Sequence, residues 1–142
     1  MARVVLDANI YISAAIRPEG PPGQIIERVL RHQAFELIVS PAIVDEVLRA
    51  FTYPKVMKYL RAEIQPDAWF SGIVLLADLV AADDVPGGVS GDPDDDKYLV
   101  AAVEGRATHL VTGDPHLLDL KEHENVRVVR PRQFLEALGP TS

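Results

Sequence analysis

Residues 3–10 read "RVVLDANI". Val4, Val5 and Leu6 form a continuous apolar run, not an alternating one, which is the pattern of a strand buried on both faces of a parallel sheet. Asp7 closes that run, directly before a segment that can begin a helix at Ala8. "FELIV" (35–39) and "THLVT" (108–112) have the same character, and "DLVAA" (78–82) and "VRVV" (126–129) bring the strands to five. Helical patterns fill the gaps: "PGQIIERVLRHQ", "SPAIVDEVLRAF", "YPKVMKYLRAEI", "PDAWFSGIVLLA", "DPDDDKYLVAAVEG" and "PRQFLEAL", with a short turn at "PHLLDL". Strands alternating with helices predict an α/β fold, a three-layer α/β/α arrangement around a central parallel sheet of about five strands. One domain spans 1–142, and the first and fourth strands are expected at its centre. The Pro/Gly segments "RPEGPPG" (17–23) and "DDVPGGVSGDP" (83–93) are expected as long loops near the carboxyl ends of the strands, where such folds bind ligands.

The composition narrows the function classes. With 142 residues, 48% of them hydrophobic, the chain can bury a real core. It has no cysteine, so disulfides and thiolate metal sites are excluded. No apolar run reaches membrane-spanning length, and the N-terminus lacks a signal-peptide core. The expectation is a cytoplasmic protein without membrane association. A net charge of −7 argues against nucleic-acid binding by bulk charge, though not against a local basic patch or a cleft reversed in sign by a bound cation.

The acids are unevenly placed. "SGDPDDDKYLVAA" (90–102) puts Asp92, Asp94, Asp95 and Asp96 within five residues, just before a helical pattern. One or two carboxylates suffice to cap a helix and favour its dipole; four repel one another unless something neutralises them. On a helical wheel Asp96 shares a face with Leu99, Val100 and Val103, so it is expected to point inward, with Asp94 in solvent and Lys97 facing elsewhere. Asp7 and Asp114 ("LVTGDP") follow the first and fourth strands. Each also suits a helix cap. Glu46 lies at the edge of the apolar face Ile43, Val44, Val47 and Phe51; it either leans into a cleft or sits exposed beside Arg49. Carboxylates converging at one end of a parallel sheet suit a hard divalent cation, Mg²⁺ or Mn²⁺.

At these residues the chain resembles the PIN domain family, the metal-dependent nuclease fold of VapC-type toxins, from Arg3 to about Leu138. "VLDANI" matches the first acidic motif, Glu46 after "SPAIVD" the second, Asp96 in "DDDKYLVAA" the third, and Asp114 in "TGD" the fourth. The closest subgroup in pattern is the toxin-like PIN proteins with "DPDDDK" and "TGD". Asp92, Asp94 or Asp95 can share or replace the role of Asp96 if the helix start shifts. The resemblance implies phosphodiester hydrolysis, with Asp7, Asp96 and Asp114 holding one or two ions and Glu46 holding a second ion or orienting water. It also implies single-stranded RNA as substrate, an antitoxin partner and a homodimer. Asn9, Thr112 and Asp92 are candidates for supporting hydrogen bonds to a carboxylate or phosphate.

Arg49, Lys55, Lys58 and Arg61 cluster near Glu46 with Tyr53 and Tyr59 between them, and Arg17 lies in the first loop. They form either a phosphate-tracking patch with stacking aromatics or a solvated helix face. Two rival functions stand beside the nuclease. One is a catalytically silent PIN-like module that binds RNA or protein. The other is an aspartyl-phosphate enzyme or receiver; Asn9 stands where haloacid-dehalogenase-type phosphatases need a second aspartate. The four histidines are scattered and are assigned no role.

Overall fold

The computed structural model describes residues 1–82 and 93–140, with no account of the side chains of 93 and 94. Asp92, most of the 83–93 loop and the side chain of Asp94 therefore lie outside the described residues.

β1 (Arg3–Leu6) pairs in parallel with β2 (Glu36–Val39) on one side and β4 (His109–Val111) on the other. β3 (Asp78–Leu79) extends the sheet beyond β2, and β6 (Val126–Val129) beyond β4, both in parallel. β5 (Glu122–His123) closes the far edge antiparallel to β6, giving the order β3-β2-β1-β4-β6-β5. The sheet thus has six strands, not five; the two-residue β5 is too short to carry a periodic signal. Successive residues of β1, Val4, Val5 and Leu6, are all fully buried, so both faces of the sheet centre are covered.

Each strand returns through helices: α1 (Ala8–Ile16) and α2 (Pro21–His32) after β1, α3 (Pro41–Ala50) after β2, and α4 (Pro54–Met57) and α5 (Pro66–Val74) before β3. α6 (Pro93–Glu104) leads into β4, α7 (Pro115–Leu118) follows it, and α8 (Pro131–Leu138) ends the described fold. Proline opens seven of the helices, α2 to α8, at a position where its missing N–H costs nothing. Ser40 caps α3, its Oγ accepting from the Ile43 N–H at 3.3 Å.

Two expectations need correction. "YPKVMKYLRAEI" forms one helical turn, α4, not a long helix. Of its apolar residues only Val56 is buried, Met57 is 57% exposed, and a short helix without a packed face does not propagate. The inward face of α6 is Asp95, Asp96, Tyr98, Leu99, Ala101 and Ala102, whereas Val103 is 38% exposed. The real face is rotated from the expected one because two alanines, weak in an apolar pattern, form its centre.

The connection between α1 and α2 folds back closely onto Gly23, in the first turn of α2. A Cβ there would stand 2.1 Å from the Pro18 carbonyl oxygen, which is backbone and cannot turn aside. Gly72, inside α5, has open space at the same point. Gly23→Ala is expected to destabilise by about 1–3 kcal/mol or more through overpacking, and Gly72→Ala to stabilise by roughly 0.5–1 kcal/mol through helix propensity. Urea unfolding of both variants checks the pair; a stable Gly23→Ala protein would contradict the close approach.

Candidate functional site

The pairing of β1 with β4 sets Leu6 opposite Val111, and the Asp7 N–H donates to the Val111 carbonyl at 3.0 Å. Asp7 and the segment after β4 therefore leave the sheet side by side. The Thr112 hydroxyl, fully buried, donates to Asp7 Oδ2 at 2.7 Å and accepts from the Asp114 N–H at 3.0 Å. Thr112 thus ties the two strand-end acids together. Each acid also caps a helix: Asp7 Oδ1 accepts from the Asn9 N–H at 3.1 Å, and Asp114 Oδ1 from the His116 N–H at 2.9 Å.

Above these strand ends lies a cavity of about 220 Å³, lined among others by Asp7, Asn9, Glu46, Tyr53, Lys55, Asp95, Tyr98 and Asp114. Larger hollows lie elsewhere. One of about 660 Å³ sits against Arg3, Glu36 and Asp78, where the guanidinium pairs with both carboxylates, and one of about 770 Å³ against Phe51, Met57 and Leu60 carries a single acid, Asp67. Of the expected acids, Asp7, Glu46 and Asp114 share the small cavity. The member from α6 is Asp95. Asp96 is 1% exposed, pointing inward as expected, and is not among the residues that line it.

Glu46 is bound neither to Arg49 nor to solvent alone. Lys97, expected to face elsewhere, donates from Nζ to Glu46 Oε2 at 3.0 Å, with both side chains largely shielded. Tyr98 was not singled out in the sequence. Its hydroxyl accepts from the Ala8 N–H at 3.3 Å, and the nearby charges of Asp7, Glu46 and Asp95 add to burial in pushing its phenol far above the usual range. An aromatic one turn after an acidic cluster is the signal that could have found it.

The basic residues separate. Lys55 lines the cavity with Tyr53, which is 42% exposed. Lys58 lies over the exposed Tyr59 ring at 5.4 Å. Arg49 is exposed, Arg61 pairs with Glu63 at 3.4 Å, and Arg17 pairs with Glu19 at 3.6 Å. Only Lys55 of the expected patch lines the cavity that holds the acids.

The donors facing the cavity are oxygen-rich and suit a hard cation. Among the described residues no three His, Asp or Glu side chains are grouped so as to hold a metal ion by themselves. A cation here would need water or substrate oxygens in addition, as Mg²⁺ characteristically retains.

Burial raises the pKa of Asp7, and the charge of Asp114 raises it further; the hydrogen bonds from Thr112 and the Asn9 N–H only partly oppose this. A carboxyl whose folded pKa lies above its unfolded value keeps its proton longer when folded. Without metal, it therefore lowers stability as pH rises from the unfolded value, about 4, through the folded one. Asp7→Asn keeps an oxygen to cap α1 and carries no charge. In EDTA it is expected to melt about 2–4 °C above the parent at pH 7, the gap closing as pH falls toward 4. A gap that does not change with pH would contradict this.

A sequence profile described as a PIN domain matches residues 3–116. An uncharacterized protein of Methanocaldococcus jannaschii, MJ1680, is 29% identical over 145 residues, covering 94% of this chain and 90% of its own length. The structure of VapBC2 from Rickettsia felis, bound to a DNA fragment from their promoter, superposes with a TM-score of 0.56 at 12% identity, over 90% of this chain and 98% of that one. PIN domains are generally nucleases. With the family profile covering most of the chain and the strand-end acids in one cavity, this protein belongs to the PIN domain family.

Proposed function

We propose that the chain is a divalent-cation-dependent nuclease that hydrolyses phosphodiester bonds in single-stranded RNA. The observation that carries this reading is the gathering of Asp7, Glu46, Asp95 and Asp114 on one cavity at the carboxyl ends of the central strands. Among the described residues, neither Asp7 nor Asp114 has a Lys, Arg or His ion-pair partner. Asp7 and Asp114, with Asp95 and Asp96 from α6, are the residues that would hold Mg²⁺ or Mn²⁺, and Glu46 from α3 would hold a second ion or orient water. Such an ion, when bound, lowers the pKa of water and offsets charge on the phosphate under attack. Thr112 holds Asp7 in orientation, and its hydroxyl proton is committed to that carboxylate. Asn9 is exposed and lines the cavity, and in this reading it would donate to a phosphate oxygen.

Tyr53 and Lys55 support a single-stranded substrate: a stacking ring and a phosphate-seeking ammonium line the same cavity as the acids. RNA in preference to DNA, and a toxin paired with an antitoxin, follow from likeness to the VapBC fold and the toxin-like motifs. A homodimer and a cytoplasmic setting belong to the same reading; among the described residues no helix is long and apolar enough to cross a membrane. One observation favours a catalytically silent binding module: no three of the described acids are grouped to hold an ion unaided.

A cleavage assay on single-stranded RNA and DNA with Mg²⁺, Mn²⁺ or EDTA separates the two. We expect RNA cleavage with either metal and none in EDTA, reduced at least about a hundredfold by Asp7→Asn or Asp114→Asn. Asp95→Asn should cost more than Asp96→Asn, since Asp95 lines the cavity. If the parent protein cleaves neither nucleic acid with either metal, the binding module becomes the better reading.

Lys55→Ala with Tyr53→Ala is expected to weaken RNA binding about tenfold or more, from one lost stacking contact and one lost phosphate contact. The log–log salt slope should fall by about one unit. Filter binding in EDTA measures both, and an unchanged slope would remove Lys55 from the interface.

A further inference from the structure

We infer that Lys97 is a positioning residue that holds Glu46 apart from the cation-binding acids and so limits the resting site to one divalent ion. This rests on the cation-dependent nuclease reading and specifies its site.

The four cavity acids are not equivalent. Lys97 Nζ donates to Glu46 Oε2 at 3.0 Å, and the two side chains are only 18% and 32% exposed. Shielding of that degree makes the pair stronger than a surface ion pair and makes either charge costly to leave alone. The ammonium also lies 5.9 Å from the Tyr98 ring centroid, which favours its position over the face of α6. Asp7 and Asp114 have no such cation among the described residues, and they are tied together through Thr112. Of Asp7, Asp114 and Glu46, only Glu46 thus has its charge matched by a cation among the described residues.

A divalent ion approaching Glu46 meets an ammonium at its carboxylate. It must displace Lys97 or accept like-charge repulsion at close range. An ion at Asp7 and Asp114 faces neither cost. The pair also spans α3 and α6, the two helices that bring Glu46 and Asp95 to the cavity, so it fixes where Glu46 stands relative to the strand-end acids.

Mn²⁺ titration by calorimetry without nucleic acid, with electron paramagnetic resonance for stoichiometry, tests this apart from catalysis. The parent is expected to bind one Mn²⁺. Lys97→Met, which keeps the aliphatic stem, should bind a second ion or bind the first about tenfold more tightly. Lys97→Arg should behave as the parent does. In the double variant Lys97→Met with Glu46→Gln, the gain should disappear, because it acts through Glu46. Two ions or none in the parent, no change in Lys97→Met, or a gain that survives in the double variant would each overturn the inference. A parent that cleaves RNA while its Mn²⁺ binding ignores Lys97→Met overturns this inference alone. A parent with the expected Mn²⁺ pattern that cleaves no nucleic acid overturns the nuclease reading alone.

Discussion

The arrangement depends on one hydrogen bond and the strand register that makes it possible. Thr112 can reach Asp7 only because β1 and β4 are parallel neighbours with Leu6 opposite Val111. That register delivers two chain segments, 105 residues apart, to the same end of the sheet. The fully buried hydroxyl then satisfies one acid with its proton and the backbone of the other with its lone pair. A valine of similar shape would leave the Asp7 carboxylate and the Asp114 N–H without these partners, and unsatisfied buried polar groups are costly.

The two ends of the sheet treat their acids in opposite ways. At the amino ends of the strands Arg3 bridges Glu36 at 2.6 Å and Asp78 at 2.8 Å, and its Nε donates to the Gly105 carbonyl. One guanidinium there joins three segments, and its pKa is raised by the two carboxylates. At the carboxyl ends Asp7 and Asp114 are given hydroxyl and backbone donors but, among the described residues, no cation. A fold that matches charge at one end with a bidentate arginine could have done so at the other. Charge left unmatched inside a cavity is the kind of local conflict that foldable sequences concentrate at functional sites.

Much of this was legible in the sequence. Continuous apolar runs mark three of the five parallel strands and shorter β-type runs the other two, and strand ends and a helix edge point to Asp7, Asp114 and Glu46 as candidates that the fold brings to one cavity. What was not legible has physical causes. β5 is two residues long and is held by a turn, with Glu124 and Asn125 in left-handed conformation, so no period announces it. The face of α6 keeps Asp96 and Leu99 from the sequence pattern but is centred on Ala101 and Ala102, which weigh little in a hydrophobic pattern, whereas Val103 weighs heavily and faces outward. The rotated face also brings Tyr98 inward and turns Lys97 toward Glu46, while Asp96 points inward as its place on the wheel predicts.

Those small residues are also what lets the acids of α6 reach the cavity. α6 packs on β1, β2 and β4, and a Cβ at Gly105, just past its end, would come within 2.8 Å of Ile38. With Ala101 and Ala102 fully buried as well, the helix lies closer to the sheet than leucines would permit. Aspartate is a short side chain. It can line a cavity shared with Asp7 only if its helix axis is drawn down onto the sheet at that point, and Tyr98 can reach the Ala8 N–H for the same reason. Packing at the alanine face thus positions carboxylates one and two turns away. A larger residue at Ala101 or Ala102 would act on the site by lifting the helix, without touching any of its acids.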